Sequence, residues 1–415
     1  MTAPPEPSRL ARSLGTADAV VVGLGAMLGA GVFVAVGPAA AASGSALLLA
    51  LALAAAVAYG NATSSAQLAA LYPQAGGAYV YGRRRLGPTW GWLAGWCFVV
   101  GKLASCTAMA LTVGAYLAPG APRPAATAAV LVLLAANLGG IRRTARLTRI
   151  MITLVLLALA VMVAGALTVP DLDLARLWAR DISPRGVLQA AGLLFFAFAG
   201  YARIATLGEE ISEPRRTIPR AIPLALGIVL VVYLLVDAAA LAAVGPDVLA
   251  ASSAPLVSVT EAGRLTAAVP IVRAGAALAS ISVLLSLLAG VGRTVFAMAA
   301  NADLPRWLDA VHARSKVPHR AESAAAGAII AAVWFTDLRG AIGFSALGVL
   351  LYYGIANLSA WTLPAHERRW PRWLAAAGAA GCVLLAFSLP VAAVVSGVGV
   401  VLAGLGVRLL QSRST

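Results

Sequence analysis

The sequence predicts an all-α polytopic membrane protein of about twelve transmembrane helices. Three observations carry this. Of 415 residues, 61% are hydrophobic and 11% charged, against about 45–50% apolar and about 25% charged in a soluble domain. Mean hydropathy is +0.89. The apolar residues also fall into runs bounded by Gly, Pro and Arg clusters, most of them near the ~20 residues that cross a bilayer core. A chain this apolar has too little polar surface to sheath one water-soluble core. A soluble enzyme, a nucleic-acid module and a disordered chain are therefore excluded.

Residues 1–16 are polar and proline-rich, show no cleavable signal pattern and read as a cytosolic tail. Spans follow at 17–42, 45–68, 90–117, 125–140 and 147–168, then at 186–208, 219–244, 269–299, 322–336 and 340–363. Two more occupy 372–390 and 391–408, divided at Pro390, and 409–415 form a second tail. Residues 17–168 and 186–363 thus make two five-helix halves, with two extra helices at 372–408.

Lys+Arg number 31 and Asp+Glu 16, for a formal net charge of +15. In a membrane protein such an excess reports sidedness. With a cytosolic N-terminus, 21 basic residues fall in cytosolic segments and seven in outside loops. Both termini are then cytosolic in the cell membrane, and the span number is even. Cys97, Cys106 and Cys382 all lie in apolar stretches and offer neither a disulfide framework nor metal spacing.

Two spans carry interruptions. The first contains Gly29-Ala30-Gly31, and the sixth contains Phe195-Phe196-Ala197-Phe198-Ala199-Gly200-Tyr201. Each mid-helix glycine weakens a helix by about 1 kcal/mol. Paired interruptions in two halves point to broken helices around a midplane site, while small residues also allow close helix packing. Five spans separate the two segments, so they run in opposite directions, as in an inverted repeat.

Four segments in this order resemble the amino acid–polyamine–organocation (APC) superfamily of permeases. They are Gly29 to Phe33, Pro73-Gln74-Ala75-Gly76-Gly77-Ala78-Tyr79, Phe195 to Tyr201 with Glu209-Glu210 and Pro214 to Arg220, and Arg293 with Ala302-Asp303-Leu304-Pro305. The resemblance implies a leucine-transporter-like 5+5 inverted repeat followed by two helices, and transport of amino acids or related amines. It places the substrate carboxylate on the amides around Gly29, Ala30 and Gly31. The ammonium then meets carbonyls near Met27, Phe196, Ala199 and Gly200, with Phe196 as an aromatic gate. A broken helix suits a zwitterion because one half exposes unpaired N–H groups and the other unpaired C=O groups.

Lys102 falls mid-way along the third span and Asp237 inside the seventh. Intramembrane ionisable groups are functional candidates by default, and both are candidates for ion coupling. The family's span-five lysine is replaced here by Val155. Coupling then falls to a proton through Lys102, to sodium, for which Ser282 and Ser286 offer oxygens, or to exchange or uniport. The two serines serve equally as helix–helix hydrogen bonders. Arg203 adds positive charge beside the sixth-span interruption and disfavours cationic substrates. Asn61 and Asn357 read as polar glue between spans.

A secondary transporter moving amino acids through the bilayer, with no cofactor, follows as the leading function. A sensor or channel on the same scaffold is the alternative. A membrane-bound enzyme lacks support: His312, His319 and His366 lie in loops without HExxH, and no Walker motif is present.

Overall fold

The computed structural model describes residues 14–74, 76–139, 145–179, 182–206, 210–312 and 317–413. Ala75, Glu209 and the basic residues Arg9, Arg12, Arg142, Arg143, Arg180, Arg314 and Lys316 lie outside the described residues. Seventeen α-helices follow in order: α1 Thr16–Met27, α2 Ala30–Val34, α3 Val36–Ser43, α4 Leu47–Leu71, α5 Ala78–Arg85, α6 Pro88–Leu117, α7 Pro122–Leu138 and α8 Ala145–Ala166. Then come α9 Pro184–Phe198, α10 Ala202–Thr206, α11 Pro214–Ala251, α12 Pro255–Ala262, α13 Val269–Ala300, α14 His319–Phe335, α15 Leu338–Trp361, α16 Arg372–Ser388 and α17 Val391–Arg413. Among the described residues the only β-type pairing is the isolated bridge of Leu14 with Ile211.

Nine helical stretches among the described residues are long and apolar enough to cross a membrane. Two further apolar helices, α7 and α16, have 17 residues each. Helix α14, also of 17 residues, occupies the ninth predicted span. The predicted first span is divided among α1, α2 and α3. The predicted seventh span, ending at 244, continues in α11 beyond a kink at Gly245, whose φ of 75° lies in the left-handed region that favours glycine. Pro246 follows it and cannot donate a helical hydrogen bond. The eight-residue helices α5 and α12 are too short to register as a hydrophobic period.

Helix α6 is central, packing on α5, α7, α13 and α15. It crosses α15 at two glycines: a Cβ on Gly348 would lie 2.8 Å from Gly101 Cα. Small residues let two backbones approach this closely in the bilayer. One turn on, Ser105 and Ser345 share a hydrogen bond of 2.6 Å. Asn357 of α15 donates to Asn61 of α4 at 2.6 Å, and the Cys382 thiol of α16 donates to the same Asn61 oxygen at 3.2 Å. The two asparagines named from sequence thus join three helices.

The loops sort into two sets by contact. In one set Arg149 pairs with Asp18, Arg369 donates to Arg215 O, Arg85 donates to Thr362 O, and Asp303 receives Arg83 and Arg408. We call this the terminal face, since Leu14 bonds Glu210 and Ser212 there. In the other set Arg176 donates to Ala242 and Ala243, Arg339 to Ala250, and Arg273 to Tyr116. Every residue in the first set belongs to a segment read from sequence as cytosolic or to a span end abutting one. The second set collects the loops read as outside.

Asn61→Ala leaves the buried Asn357 amide without this partner. Thermal unfolding in detergent should show a loss of about 1–3 kcal/mol. The double change with Asn357→Ala should cost less than the sum of the two single changes.

Candidate substrate cavity

The first membrane helix breaks where the glycines predict. Helix α1 ends at Met27, Leu28 has φ −76° and ψ 51°, and Gly29 is extended at φ −100° and ψ −153°. Helix α2 restarts at Ala30. Its course continues through Ala35, which is helical and bonds Gly31 O at 2.9 Å, into α3. Ala30, Gly31 and Val32 therefore occupy a first helical turn, where amides lack i−4 acceptors. Helix α9 ends at Phe198, Ala199–Tyr201 form a 3₁₀ turn, and α10 begins at Ala202. Such a 3₁₀ stretch inside a helix marks a hinge or strain.

The two interruptions touch. A Cβ on Gly31 would lie 2.6 Å from Ala197 Cα. A Cβ on Gly200 would run into the Ala26 carbonyl and sit 2.7 Å from Met27 N. These glycines are therefore required by close approach of α1–α2 to α9–α10. Tyrosines serve the exposed carbonyls: the Tyr233 hydroxyl of α11 lies 2.6 Å from Met27 O and 3.0 Å from Ala197 O. Tyr353 of α15 donates to Ala199 O at 3.1 Å. In the low dielectric of a helix bundle an unpaired carbonyl costs several kcal/mol, so these hydroxyls stabilise the broken geometry.

Beside the junction lies a cavity of about 370 Å³, within the size range of small-molecule sites. Ala26, Ala199 and Gly200 form part of its wall with Phe98, Met109, Phe196 and Val283. Lys102, Ser105 and Ser286 add polar groups. From there the lining follows α13 through Gly290, Arg293, Thr294 and Ala297 to Asn301, joined by Tyr79, Arg203 and Glu210. Val283 is 4% exposed, whereas Arg293 and Asn301 are exposed. The lining is thus buried around Val283 and exposed at the terminal face. On the other side of the α1 break, Phe33 packs edge-on against Tyr116, whose hydroxyl donates to Phe33 O at 2.8 Å.

Residues 14–407 match the family model described as amino acid permease. The chain belongs to this family. It is 55% identical to an uncharacterized transporter of Mycobacterium tuberculosis, over 98% of this chain and 93% of the relative. It is 26% identical to the branched-chain amino acid permease BcaP of Bacillus subtilis, covering 75% and 72% of the two chains. It is 30% identical to the human cationic amino acid transporter 4, covering 83% and 58%.

The permease brings six of the sequence-predicted residues to the cavity: Phe196, Ala199, Gly200, Lys102, Arg203 and Ser286. Met27, Gly29, Ala30 and Gly31 are buried and are not among its lining residues. Ser282 is buried on α13 and has interactions of its own. Asp237 is buried on α11, one turn past Tyr233 and not among the lining residues. Sequence reading missed Phe98, Ser105, Met109, Tyr79 and Tyr233. Tyr233 carried a usable signal, since a tyrosine inside an apolar helix must find a partner for its hydroxyl.

At the terminal face the permease closes a polar knot around Asp303. Tyr79 donates to its carboxylate at 2.8 Å, with Arg83 at 3.6 Å and Arg408 at 3.2 Å. Arg83 and Asn301 in turn donate to the Tyr79 hydroxyl at 2.8 and 3.0 Å. Burial, with the Asp303 carboxylate beside it, pushes the Tyr79 phenol up to about 12. Tyr79 therefore stays a donor through the physiological range. The knot ties α5, the loop after α13 and the last helix together where the cavity meets the face.

Gly200→Ala should force α1 from α10 and abolish uptake while the protein still reaches the membrane, read by transport and by a fluorescent fusion. Tyr233→Phe should lower stability by about 1–2 kcal/mol in detergent melts. Uptake should fall with it, because the interruption loses its cap.

Proposed function

We propose that this permease is a secondary active transporter moving amino acids across the cytoplasmic membrane by alternating access. The observation that carries the reading is the cavity walled by both interrupted helices, Ala26 from one and Phe196, Ala199 and Gly200 from the other. The helices α1–α8 and α9–α15 are read as a 5+5 inverted repeat, with α16 and α17 appended. Counting α7, α14 and α16 with the nine longer stretches supports twelve crossings. The segregation of the loops onto two faces supports the terminal face as cytosolic.

In this reading the substrate carboxylate binds the first-turn amides of α2 at Ala30 and Gly31. Its ammonium meets the carbonyl ends at Met27, Phe196 and Ala199. The Met27 oxygen accepts from both Tyr233 and the Gly29 amide, so in this reading the ammonium displaces one of these two bonds. Phe196 covers the site. Reaching the amides requires α2 and α9 to part from the approach that Gly31 and Ala197 now make, a movement that alternation between faces supplies. With the terminal face read as cytosolic, the exposed lining at that face fits an inward-facing state.

Proton coupling is the preferred drive, with Lys102 and Asp237 as the coupling candidates. Sodium coupling or exchange on the same fold is the second reading, favoured by Ser286 in the cavity wall and by Val155 at the family's lysine position. Labelled amino acid uptake into proteoliposomes should saturate with concentration. Non-saturating flux indicates a channel, and no flux with any amino acid contradicts transport. Asp237→Asn should reduce proton-gradient-driven accumulation by about tenfold or more while exchange at equal pH persists. Unchanged accumulation would remove Asp237 from coupling.

A further inference from the structure

The cavity's charge is unevenly placed. Arg203, Glu210 and Arg293 line the part toward the terminal face. Arg293 has Glu322 of α14 within electrostatic reach, and Arg203 has interactions of its own. The inner part, walled by Phe98, Met109, Phe196 and Val283, contains one charged lining side chain among the described residues, Lys102. Lys102 is 7% exposed and sits mid-way along α6. Among the described residues the one acid that lines the cavity, Glu210, lies at its other end. On α6 the nearest titratable neighbour of Lys102 is Cys106, one turn on. On α11 the buried acid Asp237 lies one turn from Tyr233 and is not part of the lining.

We infer that this permease selects amino acids bearing a second, side-chain carboxylate, and that the Lys102 ammonium receives it. The inference rests on the transporter reading above. An ammonium held out of water needs a counter-charge, and among the described lining residues of the inner cavity none supplies one. A dicarboxylic amino acid carries a net charge of −1. Its α-carboxylate and α-ammonium satisfy the exposed amides and carbonyls of the interrupted helices, and its side-chain carboxylate neutralises Lys102. Ser286, which lines the same cavity, carries a hydroxyl able to donate to a carboxylate. A charge-assisted hydrogen bond of this kind is stronger than a neutral one. A neutral amino acid leaves Lys102 without compensation, and a cationic one places like charges together.

The test is counterflow at equal pH on both sides, which removes the driving ion from the measurement. The purified permease in proteoliposomes is preloaded in turn with L-glutamate, L-aspartate, L-glutamine, L-leucine and L-arginine. Glutamate or aspartate should exchange with an apparent affinity at least about tenfold better than glutamine, their uncharged isostere. Lys102→Gln should collapse that ratio to near unity, and Lys102→Arg should retain it. If Lys102→Gln does not fold, the wild-type ratio still decides. Preferred exchange of glutamine, leucine or arginine overturns the inference and leaves the transporter reading standing. No counterflow and no ligand-induced thermal shift with any of the twenty amino acids overturns both.

Discussion

A bilayer offers no water to the peptide backbone, so a helix that breaks inside it must find other partners for its freed groups. The rest of this molecule is arranged around that requirement at two places. Leu28–Gly29 and Ala199–Tyr201 interrupt two membrane helices, and the surrounding helices supply what the breaks lack. Tyr233 reaches the carbonyls of Met27 and Ala197, and Tyr353 reaches Ala199. Both tyrosines come from helices outside the broken pair. The interruptions are therefore properties of the assembled bundle. Neither segment would hold its geometry alone.

Glycine has a narrow task in this arrangement. Gly31 and Gly200 are needed because another backbone occupies the space of a side chain. Gly29 faces Val283 at 2.7 Å for an added Cβ, a side-chain contact that is easier to relieve. The distinction separates packing from ligand access. Packing explains why these positions are small, and access to the first-turn amides requires the same contacts to loosen. A site that opens and closes by sliding two helices past each other uses both properties at once.

The fold class was legible because it follows from quantities summed over the chain: apolar content, run length and the placement of arginines. The interruptions were legible because glycines stood inside two apolar runs. The cavity's polar wall was only half legible. Lys102, Arg203 and Ser286 declared themselves as polar residues within spans, whereas Phe98 and Met109 look like any core side chain until neighbouring helices are placed. Asp237 and Ser282 show the converse. A polar residue in a span signals importance but not direction, and which face of its helix it occupies depends on packing among α4, α8, α11 and α13. The Asp303 knot was hidden for another reason. Its members come from 79, 83, 303 and 408, and no local pattern connects such distant positions.

In the proposed transporter two interrupted helices grip an amino acid between them. A cryo-electron microscopy map of the protein with a bound amino acid tests it most directly. Ligand density is expected between the Leu28–Ala30 junction and the Ala199–Tyr201 turn, beneath Phe196. Ligand density elsewhere, or unbroken helix through both junctions, would contradict it.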